Sequence, residues 1–179
     1  MKATIRPLES NEYPAFFSYL NAQLEENGKN GNPLFHPVSR AINTFPQEKE
    51  AAFVSGLSKT VCQSGWRRAW VICNEAGHIM GHVDLRAHSD YTIHHRALLG
   101  MGVGMDYRRQ GLGRELLEFA CDWVRHHVEL EWIDIEVLAE NEPAVQLYRN
   151  AGFEWMCDIP DLYRIDDQPQ TVTRMARKL

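Results

Sequence analysis

The chain has 179 residues, 44% of them hydrophobic and 24% charged, and a formal net charge of -5. That length builds one domain, 1–179, and the apolar share is enough for a core, which argues against a disordered chain. The acidic balance excludes a generally basic surface that would hold nucleic acid by its phosphates, and leans toward cationic partners such as amines.

Thr4-Ile5-Arg6 reads as a short first strand stopped by Pro7. From Tyr13 to Glu26 the apolar Phe16, Phe17, Leu20 and Leu24 share one helical face, and Asn27-Gly28 ends the helix. Residues 29–46 are rich in Asn, Gly and Pro and read as a loop, followed by a second helix from Gln47 to Leu57. Strands 69–73 and 79–85 flank the turn Asn74-Glu75-Ala76-Gly77, a hairpin signal. A third strand of this group runs from Ala97 to Met105. Gln110 to His127 is a helix with an apolar stripe of Leu112, Leu116, Leu117, Phe119, Ala120, Trp123 and Val124. In 132–138, Ile133, Ile135 and Val137 alternate with Asp134 and Glu136, the period of a half-buried strand. Asn141 suits the N-cap of a helix 142–150 with Pro143 in its first turn, and Gly152 suits its C-terminal end. Two closing strands, 153–157 and 171–176, complete the order β, two helices, β-β-β, helix, β, helix, β-β. This order predicts an α/β (α+β) fold, a mixed sheet with helices on both faces.

The cysteines Cys62, Cys73, Cys121 and Cys157 form no C-x-x-C pair and suggest neither zinc nor a disulfide framework. They read as reduced thiols of a cytoplasmic protein. The first residues lack the apolar run of a signal peptide, and no stretch approaches the roughly 20 apolar residues of a membrane span. The adjacent pairs His94-His95 and His126-His127 point in different directions on any regular element, and His78 and His82 are spaced too far apart along a strand, so no metal site is expected.

The most informative run is Met101-Gly102-Val103-Gly104-Met105-Asp106-Tyr107-Arg108-Arg109-Gln110-Gly111-Leu112-Gly113-Arg114. A strand enters a basic, glycine-bearing turn that opens directly into an amphipathic helix. The first amides of a helix have no internal partners and carry partial positive charge, so such a turn makes an anion site. Gly111 and Gly113 leave room for phosphate oxygens to reach the backbone, and Arg108, Arg109 and Arg114 add pairable charge. The run is no Walker A loop, which needs Gly-x4-Gly-Lys-Ser/Thr, and it lacks the third glycine of a dinucleotide fingerprint.

The spelling Arg108-x-x-Gly111-x-Gly113 resembles the coenzyme A signature of the GCN5-related N-acetyltransferases. The likeness continues through Ile135-Glu136-Val137 and Asn141-x-x-Ala144-x-x-Leu147-Tyr148-x-x-x-Gly152-Phe153, so both of that family's best-known motifs stand in order over residues 97–154. Within the family the chain looks most like the RimI-like enzymes and the small-amine or amino-acid acetyltransferases. The resemblance implies a mixed, mostly antiparallel sheet of six to seven strands flanked by about four helices and splayed at an acetyl-CoA cleft. It implies acetyl-CoA as cosubstrate, no metal, and a primary amine, small or peptidic, as acceptor. It is compatible with a homodimer.

Carried over residue by residue, the backbone of Met101 and Val103 would line the pantetheine arm as a neighbouring strand would. The pyrophosphate would meet Arg109, Gln110, Gly111, Gly113 and Arg114, beside Arg108. Met105 stands where the family often has proline, which puts the course of the turn in question. Gly100, Gly102 and Gly104 lie on one strand face, where glycine marks close approach of a ligand or of packed neighbours. Tyr148 takes the family's acid position, to protonate the departing thiolate. Glu136 takes the position that carries the general base in RimI-like members, with Asp84, Asp134 and His95 as alternatives. Asn141 would hold a coenzyme amide or a water. No cysteine in these motifs adjoins a base, so direct transfer in a ternary complex is expected rather than an acetyl-cysteine.

Two functional classes compete: a catalytic N-acetyltransferase, and an acetyl-CoA-binding sensor that keeps the fold without turnover. Retention of both Glu136 and Tyr148 favours the enzyme. Acceptor contacts would come from Tyr19, Glu25, Glu26, His36, Arg40, Arg86, Tyr163 and Arg164, unranked.

Overall fold

The computed structural model describes residues 4–179; Met1, Lys2 and Ala3 lie outside the described residues. Seven strands, β1 (Ile5–Pro7), β2 (Arg67–Cys73), β3 (Ile79–Ala87), β4 (Arg96–Val103), β5 (Trp132–Leu138), β6 (Glu154–Ile165) and β7 (Gln168–Lys178), form one sheet in the order β1-β2-β3-β4-β5-β7-β6. Helices α1 (Tyr13–Glu26) and α2 (Gln47–Leu57) cover one face; α3 (Leu112–Arg125) and α4 (Glu142–Asn150) cover the other. This is the mixed, mostly antiparallel sheet with four helices that the sequence leads one to expect.

The core has two layers because the strands are apolar on both sides. Phe16, Phe17 and Leu20 of α1 pack with Phe53 of α2 on Ala69 and Val71 of β2. On the other face, Leu116, Leu117, Ala120 and Val124 of α3 pack on Val83, Leu85, Ala97, Ile133 and Ile135. The alternation in β5 therefore sends Ile133, Ile135 and Val137 toward α3, and Asp134 and Glu136 toward the α1 face.

Several boundaries differ from expectation, each for a local reason. Pro7 does not stop β1 but ends it opposite Trp70, because an edge strand tolerates a residue without an N–H. β4 ends at Val103, and Met105–Tyr107 forms a 3-10 turn after Gly104 N–H donates to Met80 O at 2.9 Å. α3 begins at Leu112 rather than Gln110, since Gly111 lies at φ 86° as its N-cap. β6 and β7 run far longer than their apolar cores suggest. Pro160 and Asp161 (φ 51°) are absorbed in a register irregularity between Ile159 and Tyr163, and Asp166-Asp167 (φ 51° and 61°) makes the two-residue turn to β7.

Among the described residues β4 and β5 are the only parallel neighbours, and they pair only over Arg96–Leu98 with Trp132–Asp134. Beyond those pairs β4 continues to Val103 along β3 and β5 to Leu138 along β7 without pairing with each other, so the sheet splays into two lips.

Candidate active site

The β4 lip offers backbone groups to the gap. Gly104 N–H turns toward β3, and with a period of two Gly100 and Gly102 do the same. The amides and carbonyls of Met101 and Val103 therefore face the side from which β5 has departed. Arg108 Nε donates to Val103 O at 3.1 Å, and among the described residues no strand pairs with Met101 on this side.

At the end of this lip the chain enters the basic turn. Arg109 (φ 59°) and Gly111 (φ 86°) both take left-handed backbone, which curls the turn under the start of α3. Gly111 O accepts from the amides of Arg114 (3.0 Å) and Glu115 (3.1 Å), closing the first helical turn. The amides of Gln110, Gly111, Leu112 and Gly113 have no partner among the described residues. A Cβ on Gly111 would meet nothing within 4 Å, so the concave side is open. Four neighbouring free amides at the start of a 14-residue helix form an anion cradle. Gly113 has a second reason: a Cβ there would stand 3.2 Å from Leu147 and 3.6 Å from Met101, so glycine lets α3, α4 and β4 converge.

The three arginines separate. Arg109 is exposed, and Arg114 is exposed and bridges Glu118 at 2.7 Å. Arg108 turns inward: besides Val103 O it holds Asn32 Oδ1 at 3.0 Å and Glu26 at 3.6 Å, and it lies over the Phe35 ring. Each of its three nitrogens is engaged, and together they fasten α1 and the 27–46 segment to the turn. Gln110 Nε2 donates back to Asp106 O at 2.9 Å.

On the α3–α4 face, Asn141 caps α4 by accepting from Ala144 N–H at 3.4 Å. Seven residues on, Tyr148 is buried beside Phe153, and its hydroxyl has no hydrogen-bond partner among the described residues. Burial pushes its pKa up to about 12, so the phenol stays protonated at neutral pH.

Glu136 stands on the other face. It is exposed on the β5 lip, and both Nε and Nη2 of Arg174, its neighbour on β7, hold its Oε1, at 2.9 and 2.7 Å. The alternative Asp134 is engaged by Arg96 and His88 Nε2 (2.9 Å). Burial opposes its ionisation, but those hydrogen bonds outweigh burial and leave its pKa below the ordinary carboxylate value. Tyr148 and Glu136 thus approach the gap from opposite sides of the sheet.

The glycine stripe of β4 admits neighbours from the α1 face. A Cβ on Gly102 would lie 2.5 Å from Gln23 Oε1 and 2.9 Å from His82 Cε1; one on Gly100 would collide with Asp84 Oδ2. Tyr19 OH donates to Gly102 O at 3.0 Å, so the 3.1 Å contact with His82 requires His82 Nδ1 to carry the proton. Burial lowers the His82 pKa to about 4. Gln23 Nε2 is buried with no partner among the described residues. The glycine alternation flags this face in the sequence, where Tyr19 and Asp84 already stand as candidates; Gln23 and Arg174 carry no local signal, because they arrive from other elements.

The 27–46 segment crosses the open end of the gap. Asn27, fully buried, accepts from the amides of Phe35 and His36 (both 2.8 Å) and donates to His36 O (3.0 Å). Leu34 packs with Leu138, Ile165 and Val172 on the β5 side, and Ser39 and Arg40 hold Asp166 in the β6–β7 turn. With Arg108 at the other end, the segment is a strap joining both lips.

The model of the Acetyltransferase (GNAT) family matches residues 38–153. The chain is 38% identical over 126 residues to the Escherichia coli [Ribosomal protein bS18]-alanine N-acetyltransferase, covering 68% of this chain and 73% of that protein. Over 63 residues it is 37% identical to the UPF0157 protein YqkA of Bacillus subtilis and 43% identical to the mycothiol acetyltransferase of Thermobifida fusca. These matches cover 35% and 33% of this chain, and the chain spans 18% of each relative's length. An acetyltransferase of GNAT family from Streptococcus pneumoniae superposes with a TM-score of 0.80 at 21% identity, over 99% of this chain and 100% of that one. Splayed lips, an amide-lined turn and a matching family model agree: the chain belongs to the acetyltransferase (GNAT) family.

Proposed function

We propose that this chain, as one domain over 1–179, transfers the acetyl group of acetyl-CoA to a primary amine by direct attack, and that it belongs to the branch of RimI-like and small-amine acetyltransferases. The carrying observation is the β4 lip, whose outward backbone at Met101 and Val103 leads into the unpartnered amides of Gln110 to Gly113. That arrangement fits an elongated ligand with amides along its arm and phosphates at its end. The identity to the alanine N-acetyltransferase and to the L-amino acid N-acetyltransferase AaaT of Escherichia coli (27% over 82 residues) supports that branch without dividing it, as does the glutamate at Glu136.

The bound thioester supplies an activated acyl carbon and a thiolate leaving group. Amines reach the site as ammonium ions, with pKa values of about 8 to 10.4, and must lose a proton to attack. Glu136, on the acceptor face, takes that proton. Tyr148, on the coenzyme face and kept neutral by burial, returns one to the sulfur, whose conjugate acid titrates near 8.5. The presence of both a proton acceptor and a proton donor, one on each side of the gap, supports turnover over a silent sensor. Four free cysteines support a reducing, cytoplasmic location. Among the described residues, no helix is long and apolar enough to cross a membrane.

Two measurements test this reading: calorimetric titration with acetyl-CoA, and thiol release across a panel of amines. Saturable binding with amine-dependent release is the expected result. Binding without release from any amine would establish the sensor instead.

A further inference from the structure

The acceptor face of the gap carries a pair of opposite charges that the two motifs do not explain. The last paired residues of the lips are Leu98 and Asp134; two residues further on, on the same face, stand Gly100 and Glu136. Gly100 has no side chain, and its place is taken from β3. Asp84 Oδ2 leans over it, and Arg86 Nη1 lies 2.9 Å from where its Cβ would be. The other oxygen, Asp84 Oδ1, takes both Arg67 (2.9 Å) and Arg86 (3.3 Å). Arg67 is further committed to the Phe53 ring at 4.3 Å. The Asp84 side chain is 5% exposed and that of Arg86 is 31% exposed, so one guanidinium remains reachable beside a fixed carboxylate oxygen.

This face does not suit a polycation. Arg67, Arg86, Arg96 and Arg174 confront Asp84, Asp134 and Glu136, so arginine outnumbers carboxylate here although the whole chain carries -5. A ligand with adjacent negative and positive groups matches it. The strap limits size, since it ties the β4 lip to the β6–β7 turn across the mouth of the gap.

We infer that the acceptor is a free α-amino acid, with its carboxylate on Arg86 and its ammonium between Asp84 and Glu136. This rests on the acetyl-transfer reading above and narrows it. Asp84, held by two arginines, binds the ammonium. Glu136, on the opposite lip at the same level, takes the proton, and the freed nitrogen lone pair forms the amide bond as the carbon–sulfur bond breaks. A peptide amino terminus presents a neutral amide in place of the carboxylate and leaves Arg86 unmatched.

The test uses the full chain and matched acceptors: leucine, leucinamide, isoamylamine, spermidine and an alanine-initiated tetrapeptide. Thiol release should give leucine a kcat/KM at least 10-fold above leucinamide and isoamylamine. Arg86→Gln should remove that preference through KM, Arg86→Lys should retain part of it, and the acetyl-CoA affinity should be the same in all three proteins. Faster turnover of the tetrapeptide, spermidine or the uncharged analogues by the unsubstituted protein overturns the inference while acetyl transfer stands. Absence of acetyl-CoA binding overturns both. The leucine-to-leucinamide ratio is read on the unsubstituted protein and holds even if an arginine variant misfolds.

Discussion

Replacing Asn27 by alanine should release the strap. The side chain is fully buried and makes three hydrogen bonds, two from the amides of Phe35 and His36 and one to His36 O. Alanine leaves two N–H groups without partners, at about 1–3 kcal/mol each where water stays out, while His36 O keeps the amide of Val38 at 2.8 Å. The strap lies at the surface and regains some of these bonds with water once it loosens, which brings the net loss to about 2–4 kcal/mol. For a domain of this size that lowers Tm by roughly 5–15 °C. Asn27→Asp keeps the acceptor for both amides and loses only the donor, so it should fall between. Scanning calorimetry measures the drop, and amide exchange locates it: Phe35 and His36 should exchange faster while β3 and α3 keep their relative protection. A Tm within 1 °C of the unsubstituted protein, with unchanged exchange at both amides, would refute the role given to Asn27.

Tyr148→Phe should lower kcat by about 100-fold or more with little change in acetyl-CoA affinity, and with a pKa near 12 Tyr148 should impose no alkaline fall in rate below pH 10; stopped-flow thiol release over pH 6–10 measures both. Gly111→Ala places a methyl at φ 86° on the open side of the anion cradle; it should cost about 1 kcal/mol of stability and weaken acetyl-CoA binding by roughly 10-fold, which calorimetric titration reads directly. His82 is neutral when folded, with its pKa lowered by burial to about 4. Its contribution is complete above pH 6.5 and drains away as the pH falls toward 4, because the unfolded chain accepts a proton the folded chain refuses. The loss approaches roughly 3 kcal/mol. Burial lowers His36 to about 4 as well, so urea unfolding against pH should show the combined slope and His82→Gln should remove about half of it; parallel curves would contradict the assignment.

The sequence displayed the order of elements well, because each rests on a local pattern: the helical stripe of 116–124, the alternation of 133–137, the Asn141 cap. It also displayed the anion turn, since left-handed glycine and a helix start are neighbours in the chain. What it hid was assembled from distant segments. β6 and β7 were underestimated because Pro160 and Asp161 look like a strand end, yet an edge strand accommodates them by shifting register. Arg108 reads as a phosphate ligand from its place in the motif, but Asn32, Glu26 and Phe35, remote in sequence, engage its guanidinium. The three glycines of β4 signalled a close approach, and only the fold reveals that Gln23, His82 and Asp84 make it.

The ladder between β4 and β5 is three residue pairs long, so the sheet behaves as two leaves, β1 to β4 and β5 to β6, sewn by a short seam. A molecule seated in the opening would touch both leaves and stand in for the missing stitches. Its binding energy would then count toward holding the leaves together, and the melting temperature would climb with the logarithm of its concentration above Kd. Saturation should therefore protect β5 and β7 from hydrogen exchange as strongly as β4, although the cradle's amides belong to the first leaf's side of the seam.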